Sequence, residues 1–158
     1  MTTALPTRHA LVTGAAGGIG RGICMALIAQ ARRDGVGIHI SAASTQAGER
    51  LDALLDDLRA QGAQASGVVG DLTVPEQCAD IVAQAERAAG DLHMLVCNAG
   101  ASGPGRLVDL PVAQWDRTFA LNTRAVWLLA QAAHAGLVRT RGAITAVAIG
   151  IVAAVWLI

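Results

Sequence analysis

Four short stretches carry residue types whose spacing suits chemistry. Thr13-Gly14-Ala15-Ala16-Gly17-Gly18-Ile19-Gly20 is a glycine cluster of the kind that cradles a phosphate. Within it Gly14 permits a sharp turn, and Gly18 removes a Cβ from the path of a pyrophosphate. Gly20 lets a following helix pack close to the preceding strand, so that free helix N–H groups face the anion. Asp71-Leu72-Thr73, Asn98-Ala99-Gly100 and Leu121-Asn122-Thr123 add a carboxylate and two amides beside small or apolar residues. What is absent matters equally. All twelve basic residues are Arg, and the chain has no Lys and no Tyr. A P-loop ATPase is excluded, because its phosphate-binding Lys is missing. Any mechanism that needs a phenol or an amine from these residues is excluded too.

These groups must be positioned by a scaffold, and the hydrophobic pattern describes one. His9 to Thr13 reads as a strand leading into the glycine cluster. Ile19 to Arg33 has helical spacing, with Ile19, Ile23, Ala26, Leu27 and Gln30-Ala31 recurring at the helical period. Val36 to Ser41 reads as a second strand. Gln46 to Gln61 is an amphipathic helix with Leu51, Leu54, Leu55 and Leu58 on one face. Ala65 to Val69 is a third strand. Thr73 and Glu76 have capping-box spacing at the start of a helix that runs to about Ala89. His93 to Cys97 is a fourth strand. Pro111 to Ala135 supplies one long helix or a broken pair, with Leu121, Trp127 and Leu128 as core anchors. Gly142 to Ala148 has the continuous apolar character of a buried parallel strand. Strands alternating with helices imply a doubly wound α/β domain with a parallel sheet of about five strands and helices on both faces. Such a sheet binds ligands at the carboxyl ends of its strands.

Composition narrows the function classes. The chain has 158 residues, 53% apolar and 15% charged, which fits one folded domain and excludes a disordered tail. Twelve acids balance twelve bases, and one Phe and three Trp are the only aromatics. That argues against a nucleic-acid partner, which needs a basic face and stacking rings. Cys24, Cys78 and Cys97 form no C-x-x-C pair, so neither a metal site nor a disulfide framework is expected. With no signal peptide at the N-terminus, reduced cysteines point to the cytoplasm.

Taken in order, the motifs resemble the short-chain dehydrogenase/reductase family from about Arg8 to Val147. The loop has that family's T-G-x-x-x-G-I-G form. Asp71-Leu72-Thr73 is similar to the family's Asp-Val/Leu-Thr after the third strand. Cys97-Asn98-Ala99-Gly100 is similar to N-N-A-G with Cys in place of the first Asn, and Asn122 stands where the family has a catalytic Asn. The resemblance implies a Rossmann-like fold and hydride transfer between a nicotinamide dinucleotide and an alcohol or carbonyl. It implies cofactor contacts from Gly14, Gly18, Ile19, Gly20, Ser44, Asp71, Leu72, Asn98, Ala99 and Gly100. Each motif also has a plainer use. Asp71 suits a helix cap, Asn98 and Gly100 a ligand-free turn, and Asn122 a bond to a neighbouring loop.

The acidic residue that receives the ribose hydroxyls of NAD is missing after the second strand. Ser41-Ala42-Ala43-Ser44 stands there, and the first acid is Glu49. Ser44 could bond a 2′-phosphate, but no Arg lies at the strand tip. NADP is therefore weakly preferred over NAD.

The family works with Asn, Ser, Tyr and Lys, and only Asn122 is carried over. Family spacing puts the Ser near Ile149 or Gly150, and the Tyr and Lys beyond Ile158. Neither His134 nor Ser102 is expected to substitute. The expectation is a cofactor-binding portion, residues 1–148, with an incomplete catalytic set and an apolar tail at 149–158. Residues 142–158 carry no charge, at the lower limit for a membrane span, but the sheet already uses the first half. Alternative readings are a nucleotide-binding module that self-associates or pairs with a full-length relative, and a non-functional fragment that associates through its tail.

Overall fold

The computed structural model describes residues 6–101 and 107–147. Five strands form one parallel sheet in the order β3-β2-β1-β4-β5: β1 (Thr7–Thr13), β2 (Gly37–Ser44), β3 (Gln64–Val69), β4 (Met94–Cys97) and β5 (Ala143–Ala146). The connections carry α1 (Gly18–Arg33), α2 (Glu49–Ala60), α3 (Pro75–Ala89), and then α4 (Val112–Phe119) and α5 (Ala125–Thr140). This is the expected doubly wound, Rossmann-like α/β fold. The chain winds outward from β1 to β3, then crosses back to β4 and β5. Loops leaving β1 and β4 therefore diverge and open a crevice at the carboxyl ends of these neighbours.

Side-chain alternation along β1 divides the core into two layers. Leu11 packs with Ile81, Val82, Leu95, Leu129 and Ala133, beneath α3 and α5. Val12 packs with Cys24, Ile28, Ile40, Leu54 and Leu58, beneath α1 and α2. A polar chain runs across the first layer. His9 Nδ1 meets the carbonyl of Gly90 at 2.8 Å, so Nδ1 carries the proton and Nε2 accepts from Ser41 Oγ at 2.9 Å. Ser66 donates to Ser41 (3.1 Å) and receives His39 Nε2–H (2.9 Å). His9 is 1% exposed, so burial of its ring is tolerated through these partners.

Several expectations are corrected. The buried stripe of α1 is Gly20, Cys24, Ile28 and Ala31, while Ile19 is 59% exposed. The stripe is set by Gly20, whose bare Cα must pass the carbonyl of Gly14. Strand β2 runs to Ser44, and α2 begins at Glu49, after Gly48 at φ 144°. Thr73 does not cap α3. Its N–H and hydroxyl both bond Asp71 Oδ1, at 2.8 and 2.7 Å, and the helix starts after Val74 with Pro75 in its first turn. Trp127 is not a core anchor. It is 62% exposed, because Ala125, Leu129, Ala133 and Leu137 form the buried stripe of α5 and Trp127 lies about 200° around the helix from Leu129. Leu121 and Leu128 do pack against the core. The long helix is one run interrupted by a π-turn at Ala120–Arg124, and it continues to Thr140. β5 is exposed at all four residues, not buried, and among the described residues only β4 pairs with it. No helix among the described residues is long and apolar enough to cross a membrane. Ser102, Ile149, Gly150 and the tail at 149–158 lie outside the described residues.

Candidate functional site

The site forms where β1 and β4 end. Thr13 Oγ1 accepts the backbone N–H of Asn98 (3.0 Å) and of Ala99 (2.9 Å), and donates to Val96 O (3.4 Å). In return Asn98 Nδ2 donates to the carbonyls of Thr13 (3.0 Å) and Gly14 (3.3 Å). The two strand exits are thus stitched together by a hydroxyl and an amide. Asn98 Oδ1 is left buried with no partner among the described residues.

The glycines divide their work as their positions require. Gly14 has φ 62°, a left-handed conformation that favours glycine. A Cβ on Gly20 would overlap the Gly14 carbonyl and lie 2.8 Å from Ala15 Cα. A Cβ on Gly18 would meet nothing within 4 Å. That open space belongs to a cavity of about 600 Å³. Helix α1 starts over it from Gly17, with no side-chain cap and no acid in its first turn. Its first N–H groups and the positive end of its dipole are free to meet an anion.

The cavity wall holds Gly14, Gly18, Ile19, Gly20, Ser44, Leu72, Asn98, Ala99 and Gly100. Two of the residues expected from sequence stand apart from it. Asp71 is folded back on Thr73, whose hydroxyl and N–H hold its carboxyl below the ordinary aspartate range. Asn122 sits in the π-turn and bonds the Ala101 backbone twice: Oδ1 accepts N–H at 3.0 Å, and Nδ2 donates to O at 3.0 Å. Its amide is engaged in holding the loop that follows Asn98-Ala99-Gly100. Arg124 anchors the same turn to Thr73 O at 2.6 Å. Cys97, which replaces an Asn of the family motif, is buried, and burial pushes its thiol up to about 11. It is a neutral packing group.

Sequence reasoning missed Thr13 as a structural clasp, although its place before Gly14 was a signal. It also missed Arg50, which lines the cavity from the first turn of α2. Arg50 lies six residues beyond Ser44, past the strand tip where a cation is expected.

The geometry is that of a known family. The family model described as short chain dehydrogenase matches residues 8–154. The chain belongs to the short-chain dehydrogenase family. Short-chain dehydrogenase/reductase eriH of Hericium erinaceus is 36% identical over 80% of this chain and 48% of the relative. The chain thus spans about half the length of the curated relatives it matches. Among solved structures of short-chain dehydrogenases and related enzymes, an alcohol dehydrogenase from Thermococcus sibiricus, complexed with 5-hydroxy-NADP, superposes with a TM-score of 0.78. It is 26% identical, and the match covers 89% of this chain and 57% of that one. A metagenomic short-chain oxidoreductase in complex with NADP gives a TM-score of 0.78 at 28% identity, over 91% of this chain and 62% of the other.

Proposed function

We propose that this chain binds a nicotinamide adenine dinucleotide in the β1–β4 crevice, NADP in preference to NAD. On this reading it is the cofactor-binding portion of an oxidoreductase that moves hydride between the nicotinamide and an alcohol or carbonyl. The observation that carries the reading is the uncapped start of α1 above an open cradle at Gly18. The backbone there is bare and its N–H groups are free, as a pyrophosphate requires. The unpartnered Asn98 Oδ1 supplies a buried acceptor on the same wall. When bound, the dinucleotide supplies the hydride donor or acceptor. Gly14, Gly18, Ile19 and Gly20 would hold its pyrophosphate, with Ser44 beside the adenosine ribose. Asp71 and Leu72 would lie toward the adenine, and Asn98, Ala99 and Gly100 toward the ribose on the nicotinamide side. Asn122 acts as a positioning residue, through Ala101. With no Tyr and no Lys in the sequence, acid–base help from a phenol or an amine must come from outside these residues.

Titration of the chain with NADPH and NADH, followed by the fluorescence of the bound nicotinamide, tests this reading. Saturable binding that is tighter for NADPH is expected. No binding of either would overturn the reading, and tighter NADH binding would overturn the preference.

A second reading, a module that pairs with another chain, is favoured by β5, whose outer edge has no strand partner among the described residues and whose Ile144 is 45% exposed. Light scattering would then give at least twice the monomer mass. We place the chain in the cytoplasm, in keeping with three free and buried cysteines.

A further inference from the structure

Of the two outer strands of the sheet, β3 is closed off by side chains. Backbone groups along a strand point alternately to either side. Gly70 N–H bonds Ser44 O at 3.0 Å, so the even-numbered positions of β3 and its exit face β2. The N–H and C=O groups of Ala65, Gly67, Val69 and Asp71 therefore face away from the sheet. An edge of this kind is a template for another strand.

Gln84 of α3 meets that edge in the manner of a strand. Its Oε1 accepts Val69 N–H at 3.1 Å, and its Nε2 donates to Val69 O at 3.0 Å. In an antiparallel ladder, two residues of a bonded pair exchange the same two bonds. One planar amide thus supplies what a residue of a neighbouring strand would supply. The reverse orientation of the amide would set donor against donor and acceptor against acceptor, so the pairing fixes it. Two further side chains extend the cover. Gln77, seven residues before Gln84 and on nearly the same face of α3, accepts Asp71 N–H at 2.6 Å. Arg59, at the end of α2, donates to Ala65 O at 3.1 Å. Gly67 lies exposed between the covered positions. One open residue offers a single bonded pair, too little for a ladder.

Without Gln84 the edge is self-complementary. Gln64–Val69 carries no charge. A two-fold axis at Gly67 sets Ala65 of one copy opposite Val69 of the other, and Gly67 opposite its own counterpart. Each of these positions has outward-facing backbone groups. Arg59 also pairs with Asp56 on the exposed surface, so it can give up the Ala65 carbonyl at little cost. Val69 is the position that a pairing strand cannot take while Gln84 holds it.

We propose that Gln84 is an autoinhibitory contact, its amide standing where a strand would bond Val69 and so keeping β3 from pairing antiparallel with β3 of a second copy of this chain.

Amide exchange and sedimentation on the whole chain provide the test. In the unmodified chain Val69 is expected to exchange at least about ten-fold more slowly than Gly67, although both amides face outward. Gln84→Ala, a change that favours a helix, should bring Val69 to the rate of Gly67 in dilute solution. On concentration the mass of this variant should double relative to the unmodified chain. Adding Val69→Lys, a charge on the edge, should restore the unmodified mass. Pairing through β5 would raise the mass of all three proteins alike and is told apart in that way. Equal exchange at Val69 and Gly67 in the unmodified chain overturns the proposal. So does a Gln84→Ala chain that keeps the unmodified mass at every concentration, or a doubling that Val69→Lys leaves in place. If circular dichroism shows Gln84→Ala unfolded, the exchange comparison in the unmodified chain decides alone.

Discussion

Two glycines on either side of Ile19 illustrate how one residue type serves two ends. Gly18 faces open space, and Gly20 faces backbone. Gly18→Leu should therefore fill the cradle, cutting nucleotide affinity more than about 30-fold while leaving thermal stability nearly unchanged. Gly20→Ala should instead destabilise the fold by at least about 2 kcal/mol, because a Cβ meets the rigid Gly14 carbonyl and Ala15 Cα. Calorimetric titration and thermal melts on both variants would separate the two effects. If Gly18→Leu melts early and still binds, the cradle has been misassigned. Both roles were legible in the sequence, since the loop and its flanking strand and helix are local. The Thr13 hydroxyl and the Asn122 amide were harder. Thr13 meets Asn98 85 residues away, and Asn122 meets Ala101 21 residues away. Spacing along a chain does not reveal which distant backbone a polar side chain will satisfy.

At the level of elements, α2 and α5 show when periodicity can be trusted. In α2 four leucines stand among Asp, Glu and Arg, and the structure buries the four that the pattern selects. In α5 nearly every position is apolar, so burial is decided by which face meets α3 and the sheet. Trp127 was for that reason placed wrongly. Leu129→Ala should cost about 2–4 kcal/mol, since it leaves a cavity in the first core layer. Trp127→Gln should stay within about 0.5 kcal/mol. Denaturant unfolding of both would check the assignment; a larger loss at Trp127 would mean its face is covered in solution. The π-turn explains a further miss. Ala125 N–H reaches back to Ala120 O, five residues away, which inserts an extra residue into the helical count. Nothing in Ala120-Leu121-Asn122-Thr123-Arg124 announces it; the contacts its side chains make, Asn122 with Ala101 and Arg124 with Thr73, lie outside the helix.

For the whole molecule, the buried histidines set a response to acid. Burial lowers His9 and His39 below their ordinary value of 6.5. The unfolded chain therefore takes up protons near pH 6.5, before the folded one does. Stability must fall as pH drops from about 6.5 through the lowered folded values. Asp34, Asp71 and Asp91 are also lowered, mainly by hydrogen bonds from Arg8, Thr73 and Arg139. Their contribution is present above the ordinary carboxylate value of 3.8 and is lost in a second, more acidic window. Urea midpoints should decline between pH 7 and 5.5 and again below 4, and His9→Gln should flatten only the first decline. A flat profile between 7 and 5.5 would show that the histidines are not sealed. The fold class was readable at this scale, since alternating strands and helices admit few arrangements. An open outer edge at β5 was legible as well, but exposure of all four of its side chains was not, because Ala143–Ala146 is as apolar as an interior strand.

The sheet has an uneven seam. β1 pairs with β2 along seven residue positions, but with β4 at only three: Ala10–Met94, Leu11–Leu95 and Val12–Val96. The Thr13–Asn98 stitch closes the top of that short ladder, directly under the cavity. A molecule lying in the cavity would touch both sides of the seam and act as a cross-brace. Its binding free energy would then add to the resistance against parting there. Amide exchange in β1 and β4 should slow more than in β3 when the cavity is filled. The cleft is thus a place where occupancy and mechanical integrity become one quantity.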